Sequence, residues 1–409
     1  MASSDIASEP TNVVLIIGAG STGLAIAQGL KKNDIPAVVF ERDASLTARP
    51  RDWNMGLHWG APMLQSLISP EAWNRIQSVQ VDPNVPTKAM DTLKFLNTSN
   101  GETLGAANID YFYRLVRSKL RILLSEGIDV RYNKKLDKIL YSDDGKLATA
   151  HFEDGTSATG RIIIGADGAR SAVRRIAVGN DGHHSRRIPY GATFAQARFT
   201  REQALHLRSW HPLYLGGVHP LGCFSFFGMQ DGSDADAPET WLFFFYISFK
   251  LTLEEQEQMT SWTQPQLMAH IRSLAKHFAD PWKSAYEWLP DDHPLWFMAI
   301  TDWDPAAPGH AWDSKGGRTT LAGDAAHVMT YQRGQGLNHS INDAVKLVEA
   351  VKKFWSNDDE QAQAIAEYEA EMKNRAGTEV RMGTANTEML HDWEKALQSP
   401  VFKKGLKKS

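Results

Sequence analysis

Read from the amino end, the apolar positions begin as an unbroken run, Val13-Val14-Leu15-Ile16-Ile17. Such a run predicts a strand covered on both faces, as in a parallel sheet. The glycines from Gly18 to Gly23 interrupt it, a helix is expected through about Lys32, and Ala37–Phe40 predicts a second strand ending at Glu41. Residues 44–60, rich in Arg, Pro, Trp and Gly, show no period and read as a loop; a helix is expected over about 62–68. Residues 81–104 read as a peripheral excursion with Pro83, Pro86 and an Asn100-Gly101 turn. Between Tyr113 and Leu124, the spacing of Leu120, Leu123 and Leu124 predicts an amphipathic helix. Alternation predicts strands at 128–132, 136–141 and 148–152, with turns at Asp144-Gly145 and Asp154-Gly155. A further apolar run, Ile162-Ile163-Ile164, ends in Gly165-Ala166-Asp167-Gly168.

The texture changes over 186–300. Aromatic strands are expected in 213–229 and 240–249, with a polar loop at 231–239. In the second of them Trp241, Phe243, Phe245, Ile247 and Phe249 share one face, and Leu242, Phe244, Tyr246 and Ser248 the other. Both faces are apolar, so this sheet is covered on both sides or lines a cavity. Helix is expected over 254–278 around Pro265, and 296–300 leads the chain back. A strand at Thr319–Ala322 then runs into Gly323-Asp324-Ala325-Ala326-His327, and a helix opens near Gly336 with Ile341, Ala344, Val345, Val348 and Val351 in step. The last region, 358–394, predicts a charged scaffold helix with Ile365, Tyr368, Met372, Ala376 and Val380 inward.

Composition narrows the classes. A chain of 409 residues, 42% hydrophobic with 13 Trp and 17 Phe, can hold two domains and an aromatic pocket. A formal net charge of -4 gives no electrostatic footprint for nucleic acid. The single cysteine, Cys223, permits no intrachain disulfide and points to a reducing, cytoplasmic setting. No secretory signal is visible in residues 1–10, no apolar run is long enough for a membrane span, and no metal site is expected. The basic Lys403–Lys408 end reads as a solvated tail.

The candidate chemistry lies in the glycine turns. Gly18-Ala19-Gly20-Ser21-Thr22-Gly23 follows a strand, precedes a helix, and has an acid 18 residues beyond its third glycine. That context makes it a dinucleotide fingerprint: the turn lets backbone approach a pyrophosphate and Glu41 accept from an adenosine ribose. An acid there repels a 2′-phosphate, which favours FAD or NAD over NADP at this site. Arg49 and Arg51 meet pyrophosphate or form surface ion pairs. At Gly334-Gln335-Gly336-Leu337-Asn338 a helix N-terminus presents free N–H groups suited to something that becomes negative, such as the pyrimidine edge of a reduced flavin.

The three motifs, Gly18-x-Gly20-x-x-Gly23 with Glu41, Asp167-Gly168, and Gly323-Asp324 with Gly334-Gln335-Gly336, stand in an order that resembles the single-component FAD-dependent aromatic hydroxylases, the para-hydroxybenzoate hydroxylase-like family. The wording from Met329 to His339 is similar to fungal enzymes of secondary metabolism. The resemblance implies an α/β fold: a Rossmann-like FAD-binding domain (1–80, 105–185 and 300–355), an inserted, mainly antiparallel β-sheet substrate domain (81–104 and 186–299), and C-terminal helices (356–409). It implies FAD contacts at Gly18, Gly20, Gly23, Glu41, Arg42, Arg51, Arg117, Asp167, Asp324, Gly334, Gly336, Leu337 and Asn338. It also implies reduction by NADPH or NADH, oxygen addition at flavin C4a to give a hydroperoxide, and transfer of oxygen to a bulky aromatic, polyketide or alkaloid-like substrate. Tyr246, Tyr214, His219 and Tyr331 are the candidates to handle a substrate phenol. Tyr331 stands where the family usually has proline. Epoxidation, Baeyer–Villiger or oxidative-decarboxylation chemistry, an FAD dehydrogenase or oxidase, and a non-catalytic escort of the same fold are the alternatives; a monomer or homodimer is expected.

Overall fold

The computed structural model describes residues 12–49, 51–179 and 181–398; the amino-terminal residues and the basic carboxyl-terminal tail lie outside them. Val14–Ile17 sits at the centre of a parallel sheet with strand order Thr319–Leu321, Ile162–Gly165, Val14–Ile17, Ala37–Phe40, Val130–Arg131. All four residues of Val14–Ile17 and of Ile162–Gly165 are buried, as unbroken apolar runs require. Helix Ser21–Lys31 covers one side and packs along helix Gly336–Trp355, so closely that a Cβ on Gly29 would meet Val348 at 2.7 Å. Leu136–Tyr141, Ala148–Phe152 and Ser157–Gly160 form a three-stranded antiparallel sheet at the expected turns.

The second large sheet has seven strands, in the order Leu295–Asp302, Arg186–Ala197, Leu242–Lys250, Cys223–Asp231, Tyr214–His219, Met90–Asn97, Thr103–Asp110. Only the pairing of Tyr214–His219 with Met90–Asn97 is parallel. Phe243, Phe245, Ile247 and Phe249 pack on helices Gln264–Ala275 and Trp282–Glu287 through Ile271, Trp282 and Tyr286. Phe244 and Tyr246 belong to the other face. The break before Gln264–Ala275 falls where Pro265 enters the first turn, a position whose N–H has no helical partner to lose.

Three expectations change. Tyr113–Val116 is a strand, and the helix starts only at Arg117. Its partner is Asn54–Leu57, inside the stretch expected to be loop. Four-residue strands show too little alternation to be distinguished from coil or from the first turn of a helix, and their pairing spans some sixty positions of sequence. The strand Thr103–Asp110, expected with the nucleotide-binding part, pairs instead with Met90–Asn97 at the edge of the seven-stranded sheet. Helix Gln361–Leu390 then packs back along Gly336–Trp355 with Ile365, Tyr368, Met372, Ala376 and Val380 buried.

Candidate active site

The glycine turn is shaped by exclusion. Gly18 has φ +109°, and a Cβ there would lie 2.5 Å from the Ala166 carbonyl oxygen; one on Gly23 would lie 2.1 Å from the Gly18 oxygen. Neither position admits a side chain. Glu41, buried at the end of the second strand, accepts from the Ala19 amide at 2.9 Å and the Asp43 amide at 3.0 Å. A carboxylate has about four lone-pair directions, so Glu41 keeps capacity for a ribose. Arg121, which sequence reasoning missed, locks this corner: it is 1% exposed, donates to the Ala19 and Leu46 carbonyls, and lies 3.6 Å from Glu41. Its only sequence signal is its place one turn after Arg117 on a helix.

Arg117 opens that helix with its guanidinium 4.5 Å from the Trp53 ring centre; burial, with Arg121 and Arg49 nearby, pushes it down to about 10, so it stays charged at neutral pH. Arg42 is half exposed beside Asp43. Arg49 pairs with Asp43 at 2.6 Å. Arg51 has its guanidinium 5.5 Å from the ring centre of Trp296, on the seven-stranded sheet.

The Asp167 carboxylate is occupied. It accepts from the Ser171 hydroxyl and from the Ala172 amide at 2.6 Å, capping helix Ala172–Val178. What faces open space there is the backbone of Gly168, φ +83°, whose Cβ would meet nothing within 4 Å. Asp324 is exposed, and its carboxylate has no hydrogen bond among the described residues.

Gly323 brings the third motif against the first. Its φ is +60°, and a Cβ would meet the Thr22 hydroxyl at 2.5 Å and that of Ser340 at 3.0 Å. The N-termini of helices Ser21–Lys31 and Gly336–Trp355 therefore open side by side. Gly334 is left-handed at φ +63°, and Cβ atoms on Gly334 and Gly336 would enter open space. Helix Gly336–Trp355 has no side-chain cap, and no acceptor is found for the amides of Gly336, Leu337 and Asn338 among the described residues. This end is suited to a negative group. The Asn338 side chain is fully buried and engaged: it accepts from the His58 and Gly60 amides at 2.9 and 3.1 Å and donates to the Gly56 carbonyl at 3.1 Å.

Behind this turn lies an ion network that sequence reasoning did not assign. Asp343, fully buried, accepts from the Gly323 amide at 2.8 Å and from Arg375 at 2.7 Å, and meets His327 Nε2 at 2.6 Å. Burial and the neighbouring His327 and Arg375 push His339 down to about 3, so its Nδ1 is free to accept from Arg375 at 2.9 Å.

Opposite the turn stands a row of rings. Register places Trp296, Phe194, Tyr246 and Phe226 side by side on four adjacent strands. Neighbouring ring centres are 5.7, 4.8 and 5.8 Å apart. Tyr331, between the two glycine motifs, meets this row edge-on, 5.3 Å from Tyr246 and 5.8 Å from Phe194. Its hydroxyl is buried without a partner, and burial raises it well above the usual phenol range. Burial likewise raises Tyr246. Tyr331→Phe is therefore expected to melt at or up to about 1 kcal/mol above wild type and to keep its FAD, because it deletes a buried hydroxyl with no bond to lose; thermal unfolding and the flavin absorbance check both.

Of the other two candidates, Tyr214 stands beyond the Phe226 end of the row and His219 lies on the opposite face of the sheet. The Tyr214 hydroxyl bonds to Asp91 at 3.2 Å. His219 lies an odd number of residues along the same strand, hence on the opposite face, stacked on Phe278 at 4.5 Å with Nε2 on the His277 carbonyl and Nδ1 on the Leu221 amide. It has no route to the row. His219→Gln is expected to leave FAD content and turnover within about twofold of wild type, since surface or structural substitutions clear of the site change little; steady-state rates test this.

A family model described as "FAD binding domain" matches residues 11–207 and 289–382. The chain is 36% identical over 397 residues to the FAD-dependent monooxygenase cctM of Talaromyces islandicus, covering 96% of each. It is 34% identical over 412 residues to the FAD-dependent monooxygenase phnB of Penicillium herquei, covering 97% of this chain and 95% of that one. Among solved structures, Klebsiella pneumoniae HpxO complexed with FAD and uric acid superposes with a TM-score of 0.73 at 19% identity, over 98% of this chain and 94% of the other. The cradle without room for a Cβ at residues 18 and 23, the free Asp324 carboxylate and the uncapped amides at 336–338 fit FAD. On the motifs, the fold and these likenesses together, the chain is an FAD-dependent oxidoreductase belonging to the para-hydroxybenzoate hydroxylase-like flavin monooxygenases.

Proposed function

We propose that this enzyme hydroxylates a bulky aromatic substrate, polyketide- or alkaloid-like, with NADPH or NADH as reductant and O2 as oxidant. The observation that carries the reading is the row Trp296, Phe194, Tyr246 and Phe226 set opposite the Gly334–Asn338 turn. Bound FAD supplies the redox and oxygen-activation chemistry at its C4a position. The amides of Gly336–Asn338 hold its negative edge, Asp324 the ribityl chain, Glu41 the adenosine ribose, and the turn at Gly18–Gly23 the pyrophosphate. The aromatic row seats the substrate ring and keeps water from the reacting carbon. Tyr246 and Tyr331, held protonated by burial, act as hydrogen-bond donors to substrate oxygen rather than as bases. The chain works as a monomer or homodimer in the cytoplasm, with the nucleotide-binding and substrate parts divided as the sequence suggests except that Thr103–Asp110 goes with the substrate part.

The test is turnover of candidate aromatic substrates under 18-O oxygen with mass spectrometry of the product. One labelled oxygen atom in a hydroxylated product supports the reading. A dehydrogenated product without label would assign the enzyme to the oxidases or dehydrogenases instead, and label inserted into a ring bond would assign Baeyer–Villiger chemistry.

A further inference from the structure

Arg114 is an arginine without a carboxylate partner among the described residues. It lies on strand Tyr113–Val116, where its own residue pairs with Gly56. Its guanidinium sits 4.8 Å from the ring centre of Phe226 and 5.9 Å from that of Tyr214. A Cβ on Gly56 would come 3.7 Å from its Nη1. Its Nε is buried with no hydrogen-bond partner, and among the described residues no carboxylate forms an ion pair with it. Burial pushes it down to about 10, which leaves it charged at neutral pH. Nearby Arg121 is engaged with Ala19, Leu46 and Glu41, and Arg49 with Asp43, whereas Arg117 and Arg51 rest on the rings of Trp53 and Trp296.

An unpaired cation in a partly buried site is costly unless something completes it. The place where Arg114 stands says what that something is. Gly56, beside it, is bonded through its carbonyl to Asn338 at the start of the flavin-facing helix. Phe226, under it, is the end of the four-ring row. The guanidinium thus lies between the isoalloxazine end of the FAD site and the surface on which the substrate lies. The titratable groups around it are Tyr214, committed to Asp91, and Tyr246, both raised by burial. No side chain there takes a proton from a substrate, so the negative charge must arrive with the ligand or be drawn out of it by the cation, the proton leaving to water.

We propose that Arg114 anchors an anionic oxygen, phenolate or carboxylate, on a substrate of two or more fused aromatic rings lying along the row. This rests on the proposed hydroxylase reading and narrows it to acidic polycyclic substrates. Adjacent strands are about 4.8 Å apart, so four of them in line span roughly 14 Å, longer than one benzene ring. Arg–oxyanion pairing at one end fixes which ring carbon meets the flavin. An electron-rich phenolate also favours attack on an electrophilic oxygen.

The test uses the FAD-loaded full chain and two isosteric probes, 2-naphthoate and 2-naphthamide, titrated calorimetrically at neutral pH. Wild type is expected to bind the anion at least ~10-fold tighter than the amide, the size of one charge-assisted bond of about 1.4 kcal/mol. Arg114→Met is expected to bring the two within ~3-fold, and Arg114→Lys to keep part of the preference. FAD content and thermal unfolding of each variant establish that the fold is intact. The proposal is overturned if wild type shows no preference for the anion, if it fails to bind 2-naphthoate, or if the preference survives in Arg114→Met. Label incorporation from oxygen is measured independently, so an enzyme that hydroxylates but ignores probe charge would sink this proposal and leave the hydroxylase reading standing.

Discussion

Gly18→Ala is expected to be purified without FAD. The methyl group would sit 2.5 Å from the Ala166 oxygen and 2.8 Å from the Asp167 Cα, both backbone atoms of the neighbouring parallel strand and its turn. These atoms have nowhere to go, because Ile162–Gly165 is hydrogen-bonded on both sides. The φ of +109° adds strain for any L side chain. Together strain and overpacking cost on the order of 3 kcal/mol. The turn can relieve this only by opening, which removes the amides from the pyrophosphate. FAD affinity should fall at least about a hundredfold, at 1.36 kcal/mol per decade. Gly155→Ala is the control: φ is +83° there too, but a Cβ meets nothing within 4 Å. It should cost only the backbone strain, about 1 kcal/mol, and retain the flavin. Flavin absorbance per protein and titration of the apoprotein with FAD measure both. A yellow Gly18→Ala protein with wild-type affinity would refute the assigned cradle.

The second large effect is on stability. Asp343→Ala removes the acceptor shared by the Gly323 amide, His327 and Arg375. It leaves a buried guanidinium with less of its partner charge, a change that typically costs about 3–5 kcal/mol. Glu371 still holds Arg375 through its Nε at 2.7 Å, so the lower end of that range is expected in chemical denaturation. The same residue predicts an acid dependence. Burial alone would raise the Asp343 carboxyl, but His327 and Arg375 outweigh it and hold the group at about 2, below its ordinary 3.8. A carboxylate depressed in the folded state contributes its stabilisation fully above the unfolded value and loses it as pH falls through the folded value. Between about pH 4 and pH 2, wild type should therefore lose roughly 2 kcal/mol more than Asp343→Asn does. Parallel stability curves would contradict the network.

What could be read in the sequence was what is local. Each glycine turn follows an apolar run and precedes a helix, so Gly18–Gly23, Gly165–Gly168 and Gly323–Gly336 announce themselves from neighbouring residues alone. Their convergence is visible only in three dimensions, where Gly323 closes on Thr22. Alternation likewise sorted Phe243 from Tyr246 onto opposite faces. The same parity would have removed His219 from consideration once Tyr214 was placed on the row side, since five residues separate them. Arg114 and Arg121 were hidden for a different reason. Nothing in a basic, leucine-bearing stretch says which arginines lie against solvent and which against the carbonyls of residue 19 or the ring of residue 226. Strand Asn54–Leu57 was hidden because its partner is distant in the chain.

The aromatic row runs across the strands, not along one of them. Its length therefore changes in steps set by the lattice of the sheet: trimming Trp296 or Phe226 to alanine would open space at one end of the row by one interstrand spacing, about 4.8 Å. If the row seats the substrate as proposed, single exchanges at the ends of that line retune the enzyme for longer or shorter polycycles while the flavin seat stays untouched.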